Sequence, residues 1–212
     1  MKKTTDYSIG GHTLRVDSGS LNGLLEAAGG FDTFLSAVKT HPDTMLTLCE
    51  RPYPQNTKEY TPLYRFRFED KECSFGSDNA GKYFFRIFPP EGQEPFFMEY
   101  DVHTRTAFAN APGNAALVRF GLWMAYGMAF AKDMTVAVHS SAISYNGQAV
   151  LFLGESGTGK STHTRLWTQN IKGAGLINDD SPILRVENNT VYAYGSPWSG
   201  KTPCYRTEKY PV

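Results

Sequence analysis

Cysteine is scarce and scattered: Cys49, Cys73 and Cys204 are the only three in 212 residues. An odd number with no C-x-x-C pair excludes a disulfide framework and a thiolate zinc or redox motif, and it fits a reducing, cytoplasmic compartment. An excess of charge of either sign is lacking too, since 21 Lys+Arg balance 21 Asp+Glu for a formal net charge of +0 at pH 7. A broad nucleic-acid interface needs a local surplus of Lys and Arg to neutralise phosphate; no such run occurs, so nucleic acid is set aside as a partner. No apolar run reaches the roughly 20 residues that a membrane-spanning helix requires. The longest, Ala115 to Ala131, contains Arg119 and two glycines and reads as a buried helix, so no membrane association is expected. The basic start Met1-Lys2-Lys3 is followed by a polar stretch, Thr4 to Gly11, which lacks the apolar run of a signal peptide. Internal repeats and low-complexity segments are absent.

What the chain does have is a core. Hydrophobic residues make up 41% and aromatics 14%, with Phe 14, Tyr 12 and Trp 3; mean hydropathy is −0.39. At this length about 70% of the extended chain's surface can be buried, enough for one sizeable core or two small ones without disulfides or structural metal. Leu21, Leu24, Leu25 and Ala28 recur at helical spacing and stop at Gly29-Gly30, and Phe34, Leu35 and Val38 repeat the pattern before Pro42, so two short helices are expected near the start. From Met45 to Asn110 the texture changes to period-two alternation, clearest in Tyr64-Arg65-Phe66-Arg67-Phe68, with Gly, Pro, Asp and Asn clusters between runs. An antiparallel meander is expected there, half-buried, with its charges on the wet face. Pro112-Gly113-Asn114 then opens the apolar helix. The expected division is a β-rich region over residues 1–110 and a second domain over 111–212.

In the second part, Met134 to Ser144 reads as a strand that turns at Tyr145-Asn146-Gly147, and Gln148 to Leu153 as a second, more continuously apolar strand buried on both faces. Directly after it stands Gly154-Glu155-Ser156-Gly157-Thr158-Gly159-Lys160-Ser161-Thr162, a match to the phosphate-binding P-loop G-x-x-x-x-G-K-[ST]. The residue types follow from the chemistry. Glycines permit positive φ and close backbone approach, so that successive N–H groups converge on phosphate oxygens at a helix start, where the helix dipole adds positive charge. Lys160 supplies a mobile cation for the β and γ phosphates, and the Ser161 hydroxyl is placed to ligate Mg²⁺. Thr162 to Ile171 is expected to be a helix with Leu166, Trp167 and Ile171 on one face.

A P-loop needs a carboxylate for the metal, and the next strand, Gly175 to Asn178, ends in Asp179-Asp180. The interval from Lys160, 179 − 160 = 19 residues, accommodates one helix and a return strand, which would bring the acid pair beside the loop from an adjacent parallel strand. One aspartate can hold Mg²⁺ while the other takes a proton from an attacking hydroxyl. Asn-Asp-Asp-Ser-Pro is also good turn chemistry, and on its own it would read as a solvated turn.

The stretch from Val138-His139 through GESGTGKST to Asp179-Asp180 resembles the catalytic domain of the HPr kinase/phosphorylase family, whose P-loop fold is shared with phosphoenolpyruvate carboxykinase. The resemblance covers roughly residues 134 to 201, about a third of the chain. It implies an α/β fold, a P-loop mixed sheet with flanking helices, here preceded by a β-rich region. It implies ATP and Mg²⁺ as cofactors and transfer of the γ-phosphoryl group to a hydroxyl, most plausibly of a serine, on a protein, peptide or metabolite. A lone histidine after Val136-Ala137-Val138 is by itself an ordinary sheet residue. The resemblance places His139 near the transferred phosphate, and it makes Asp179 the Mg²⁺ ligand and Asp180 the general base, with Lys160 and Ser161 in their P-loop roles.

The chain also departs from that family. Residues 1–110 do not look like the amino-terminal domain of the authentic HPr enzyme, so its protein substrate is not inherited. Gly195-Ser196-Pro197-Trp198-Ser199-Gly200-Lys201 looks like a shorter group of HPr-kinase-like proteins, or is a Gly/Pro turn with a packing tryptophan. The family continues past the position of Val212 with elements that help complete the acceptor site. Alternative readings are therefore a nucleotide-binding regulatory subunit without turnover or a shortened protein, and, further off, a carboxykinase-like lyase. A switch GTPase is disfavoured because no Asn-Lys-x-Asp motif occurs. The oligomeric state, including a homo-oligomer, is left open.

Overall fold

The computed structural model describes residues 4–36, 45–55, 62–68, 70–78, 80–200 and 202–212. Among them the chain is mixed α/β and mostly strand, with fifteen strands, three α-helices and three sheets. No described helix is long and apolar enough to cross a membrane. Two compact units emerge. The first comprises Met1–Asp6, Thr13–Ala28 and Ala37–Ala129, the second Tyr7–His12, Gly29–Ser36 and Phe130–Val212. The division thus falls at the end of the apolar helix rather than before it at Pro112-Gly113-Asn114.

The strands β1 (Thr4–Ile9), β2 (His12–Asp17), β3 (Met45–Glu50), β4 (Pro62–Phe68), β5 (Lys71–Ser77), β6 (Lys82–Phe88), β7 (Phe96–Asp101) and β8 (Thr106–Ala109) belong to one eight-stranded sheet, ordered β1-β2-β3-β8-β7-β6-β5-β4, of which all but Tyr7–Ile9 and His12 lies in the first unit. The strands β4 to β8 form the expected antiparallel meander. Strand β3, which the expected meander from Met45 included, instead pairs in parallel with both β2 and β8, a direction that alternation alone does not disclose. Helix α1 (Gly19–Ala28) forms the crossover between β2 and β3; the Ser18 hydroxyl accepts the Leu21 N–H at 3.1 Å as an N-cap, and Leu21 and Leu25 are buried. Helix α2 (Ala115–Phe130) stacks Phe120 on Phe68 at 5.0 Å and meets Phe85 edge-on at 5.6 Å. Its Gly121 backbone lies so close to the Phe96 ring that no side chain fits between them.

Two expectations need correction here. The Arg/aromatic strand β4 is the sheet's edge and is largely exposed, with Leu63 and Tyr64 both about two-thirds accessible, because an edge strand has one flank open as well as a face. The helix around Phe34 is only a 3-10 turn, Asp32–Phe34; Leu35 is extended and bridges Tyr7, and Val38 and Pro42 lie outside the described residues.

The second unit contains β9 (Thr135–Ala137), β10 (Ser140–Tyr145), β11 (Gln148–Leu153), helix α3 (Lys160–Asn170), β12 (Gly175–Asn178), β13 (Ile183–Glu187), β14 (Thr190–Tyr194) and β15 (Lys209–Pro211). A three-stranded sheet runs β11-β10-β12 and a four-stranded one β15-β14-β13-β9, both wholly antiparallel between neighbours. Asn146 and Gly147, at φ 50° and 78°, give the two-residue hairpin between β10 and β11. Ala142, Ala149 and Ile177 of the smaller sheet share a core with Ala193 of the larger, and Leu151, Leu184 and Tyr210 pack onto it.

The expected strand from Met134 to Ser144 is in fact two. It breaks at Val138-His139, where the chain leaves the four-stranded sheet for the three-stranded one. Strand β11 is likewise an edge strand and not a centre strand buried on both faces; Leu153 is 70% exposed. Its apolar run is explained instead by α3, whose Trp167 packs edge-on against Tyr145 at 5.7 Å and Phe152 at 6.1 Å. Leu166 is half exposed and off that face.

At the far end of the larger sheet Glu187 accepts hydrogen bonds from Lys209 and from the Tyr194 hydroxyl, with Arg185 Nε 3.7 Å away. Burial pushes the Glu187 carboxyl up, but these donors and their charges outweigh it and hold it below its ordinary value, while the bond to Glu187 raises Lys209. A carboxyl depressed by folding contributes stability that is present above its unfolded value near 4.5 and is lost as pH falls through the lower folded value. Lys209→Ala is therefore expected to lower the urea midpoint at about pH 7 and to shrink the further loss between about pH 5 and pH 3. Paired urea titrations across that range check it; an unchanged acid limb would show that Lys209 does not set the Glu187 proton affinity.

Candidate functional site

The residues Gly154 to Gly159, which match the P-loop motif in sequence, form an exposed turn between β11 and α3. Positive φ is used at Gly157 (85°) and Gly159 (90°), and a Cβ on Gly154 (φ 153°) would sit 2.8 Å from Thr158 Oγ1. The loop is closed by its own bonds: both the N–H and the hydroxyl of Thr158 donate to the Glu155 carbonyl, at 3.3 and 2.8 Å. Gly159 is the N-cap of α3 and contributes no side-chain cap, which leaves the first-turn amides of the helix to the loop. Ser161 and Thr162 are exposed on that turn. Lys160 folds back over the loop, donating from Nζ to the carbonyls of Gly154 at 2.6 Å and Glu155 at 2.9 Å.

The two chain segments that cross between sheets lie side by side. Ser140 N–H donates to the Asp180 carbonyl at 2.9 Å and Val138 N–H to the Pro182 carbonyl at 3.1 Å. His139, between those two donors, reaches Lys160 on one side and Asp180 on the other: Nε2 is 3.1 Å from Lys160 Nζ, and Nδ1 is 3.3 Å from Asp180 Oδ1. A neutral imidazole with its proton on Nδ1 suits both neighbours, presenting a donor to the carboxylate and an acceptor to the ammonium.

Asp179 and Asp180, adjacent in sequence, differ in setting. Asp179 is 5% exposed and accepts from the Ser141 hydroxyl at 3.1 Å and from the Thr202 N–H at 3.2 Å. Ser141 in turn lies 3.0 Å from Thr164 Oγ1, one turn along α3 from Lys160. Asp180 is partly exposed and accepts from the Ser181 hydroxyl at 3.2 Å besides facing His139. Strands β11 and β12 do not neighbour each other, because β10 separates them; both are antiparallel to it, so their C-terminal ends still emerge on the same side. The loop and the acid pair are joined through β10, by His139 before it and Ser141 within it.

Ser141, Thr164, Asn178 and Ser196 are site residues that the motif reading does not single out. Ser141 is one of three serines in β10 and carries no distinguishing signal in the sequence; it is fully buried. Trp198 is buried and meets Phe31 edge-on at 5.9 Å, so it packs; Lys201 lies outside the described residues. Cys204 Sγ points at the carbonyls of Leu176 and Ile177, and burial pushes its thiol up, away from a reactive thiolate. Among the described residues no three His, Cys, Asp or Glu side chains gather into a metal site. A divalent ion with few protein ligands, completed by phosphate oxygens and water, is the kind that Ser161 and one carboxylate suit.

No family model and no curated protein matches this chain.

Ser141→Ala removes one of the two donors to a buried carboxylate. It is expected to cost about 1–3 kcal/mol, read as a lower urea midpoint with the far-ultraviolet spectrum retained. An unaltered midpoint would mean that the Thr202 N–H alone satisfies Asp179.

Proposed function

We propose that this protein binds ATP with Mg²⁺ at the loop 154–162 and transfers the γ-phosphoryl group to a hydroxyl, as a kinase resembling the HPr kinase/phosphorylase type. The observation that carries the reading is the contact chain Lys160–His139–Asp180, which puts a cation, an imidazole and a carboxylate next to a loop of phosphate-binding form. The finer fold, a P-loop sheet of the HPr-kinase and phosphoenolpyruvate-carboxykinase type, belongs to the same proposal.

The loop amides from Gly157 to Ser161 receive the phosphates, and Lys160 exchanges its two loop carbonyls for phosphate oxygens. Ser161 and Asp179 hold Mg²⁺; each Asp179 oxygen accepts one hydrogen bond and keeps a second lone-pair site. Bound there, the ion neutralises charge on the phosphates. The acceptor hydroxyl oxygen bonds to the γ-phosphorus while the bond from that phosphorus to the ADP oxygen breaks, and the hydroxyl proton passes to the Asp180 carboxylate. His139 holds that carboxylate in line with Lys160. Since phosphoryl transfer is mostly positioning and charge stabilisation, this short list of groups is chemically sufficient. The acceptor is assigned by class only, a serine-bearing protein, peptide or metabolite.

Lys160→Ala is expected to weaken nucleotide binding roughly tenfold to a hundredfold, the worth of a charge-assisted hydrogen bond. Asp180→Asn should bind nucleotide as wild type does and lose about 10²–10⁴ in turnover. Calorimetric titration of Mg·ATP, followed by mass spectrometry of ADP release with serine, serine peptides and a cell extract, measures both. Binding by wild type without ADP formation would leave a nucleotide-binding regulatory protein, and equal turnover by Asp180→Asn would remove the base.

A further inference from the structure

The segment Gly195 to Gly200 belongs to no strand or helix, yet its interior is held by several hydrogen bonds. Ser196 is fully buried. Its hydroxyl donates to the Ser181 carbonyl at 2.6 Å and accepts from the Trp198 N–H at 3.2 Å. Asn178, also fully buried, donates from Nδ2 to both the carbonyl and the hydroxyl oxygen of Ser196, each at 3.2 Å. The other end of the same amide, Oδ1, accepts the N–H of Asp180 at 2.9 Å and of Ser181 at 2.8 Å. Every donor and acceptor position of the Asn178 amide is thereby used, and its orientation is unambiguous because backbone N–H groups can only meet the oxygen.

The bend that carries the acid pair is thus gripped from one side by Asn178 and, through it, by Ser196. The same segment touches the pair directly at its far end. A methyl group built on Gly200 would lie 3.2 Å from Asp180 Cβ and 3.3 Å from the Asp179 carbonyl oxygen, closer than ordinary packing allows. Two residues on, Thr202 N–H holds Asp179 Oδ2. Ser199 Oγ braces this return by donating to the Thr202 carbonyl at 2.8 Å and accepting the Cys204 N–H at 3.1 Å.

We infer that Ser196 and Gly200 are positioning residues for the Asp179-Asp180 pair: the segment 195–200 is a strap that keeps Asp179 turned inward and Asp180 turned toward His139. The inference rests on the kinase reading above for what the pair does, and on the hydrogen bonds for how it is held. Neither residue touches the loop 154–162 in any described contact. Loosening the strap should therefore disturb the metal-dependent part of nucleotide binding and leave the loop-dependent part alone.

The test is calorimetric titration of ADP into wild type, Lys160→Ala, Ser196→Ala and Gly200→Ala, each with EDTA and with Mg²⁺. Ser196→Ala withdraws a buried hydroxyl and risks the fold; Gly200→Ala removes no hydrogen bond and presses on the pair from outside, so it decides the matter if the first variant does not fold. Expected are EDTA affinities within about twofold of wild type for both strap variants and a loss of about tenfold in the presence of Mg²⁺, about 1.4 kcal/mol. A purely structural strap would weaken binding equally in both media, and strap variants indistinguishable from wild type would leave it without influence; either result overturns the inference while the kinase reading stands. Wild-type protein with no lysine-dependent binding in either medium would overturn that reading and the strap's role with it.

Discussion

Two backbone hydrogen bonds, from Ser140 to the Asp180 carbonyl and from Val138 to the Pro182 carbonyl, bring together the segments that carry His139 and Asp180. Each joins a segment leaving one sheet to a segment leaving the other. Chain crossing from sheet to sheet must abandon its ladder, and the freed N–H and C=O groups need partners when they are buried. Here the two crossings partner each other. His139 and Asp180 are carried at the place where side chains are released from the pleat, which is why both are partly exposed and face one another. The C-terminal end of β11, with the glycine-rich loop that follows it, is brought to the same place because β10, which starts at this crossing, is its hydrogen-bonded neighbour.

The parts of this arrangement that were legible in the sequence are those encoded locally. The loop Gly154 to Thr162 announces itself by glycine spacing, since each glycine answers a backbone demand within a few residues. The turn at Asn146-Gly147 and the helix after Lys160 are legible for the same reason. What was not legible depends on residues far apart. The break at Val138-His139 is hidden because neither residue is a glycine or proline, so no local punctuation marks the change of sheet. Strand β11 reads as central because it is apolar throughout, whereas Phe152 is covered by Trp167 from α3 and the strand sits at an edge. Asn178 and Ser196 are eighteen positions apart, and no local pattern ties an asparagine at a strand end to a serine in a Gly/Pro segment. His139 was singled out by resemblance alone, and no local pattern encodes its contacts with Lys160 and Asp180.

The acid pair illustrates how two identical side chains acquire different settings. Burying a carboxylate costs several kcal/mol unless donors replace the water it loses. Asp179 has a hydroxyl on one oxygen and an N–H on the other, and it is the buried member. Asp180 has one hydroxyl neighbour and an imidazole, and it keeps contact with solvent. A carboxylate already gripped on both oxygens is suited to a fixed electrostatic task. One that meets water and an imidazole can exchange a proton. The bend that separates them is itself held by Asn178, so the difference in environment follows from backbone geometry more than from the side chains.

Lys160 shows the complementary economy on the cationic side. Its ammonium has three N–H bonds and finds three acceptors, the carbonyls of Gly154 and Glu155 and His139 Nε2. All three acceptors are neutral when His139 is neutral, so in the proposed binding a phosphate would win the ammonium by charge and not by offering hydrogen bonds that were missing. Because full hydrogen bonding is kept on both sides of the exchange, little is lost in making it, and the difference is the charge-assisted increment alone. The two carbonyls come from the loop itself, so the lysine is held over the loop proposed to take the phosphates. The loop, the histidine and the bend at Asp180 thus share a lysine whose resting contacts and proposed working contacts lie in the same few ångströms.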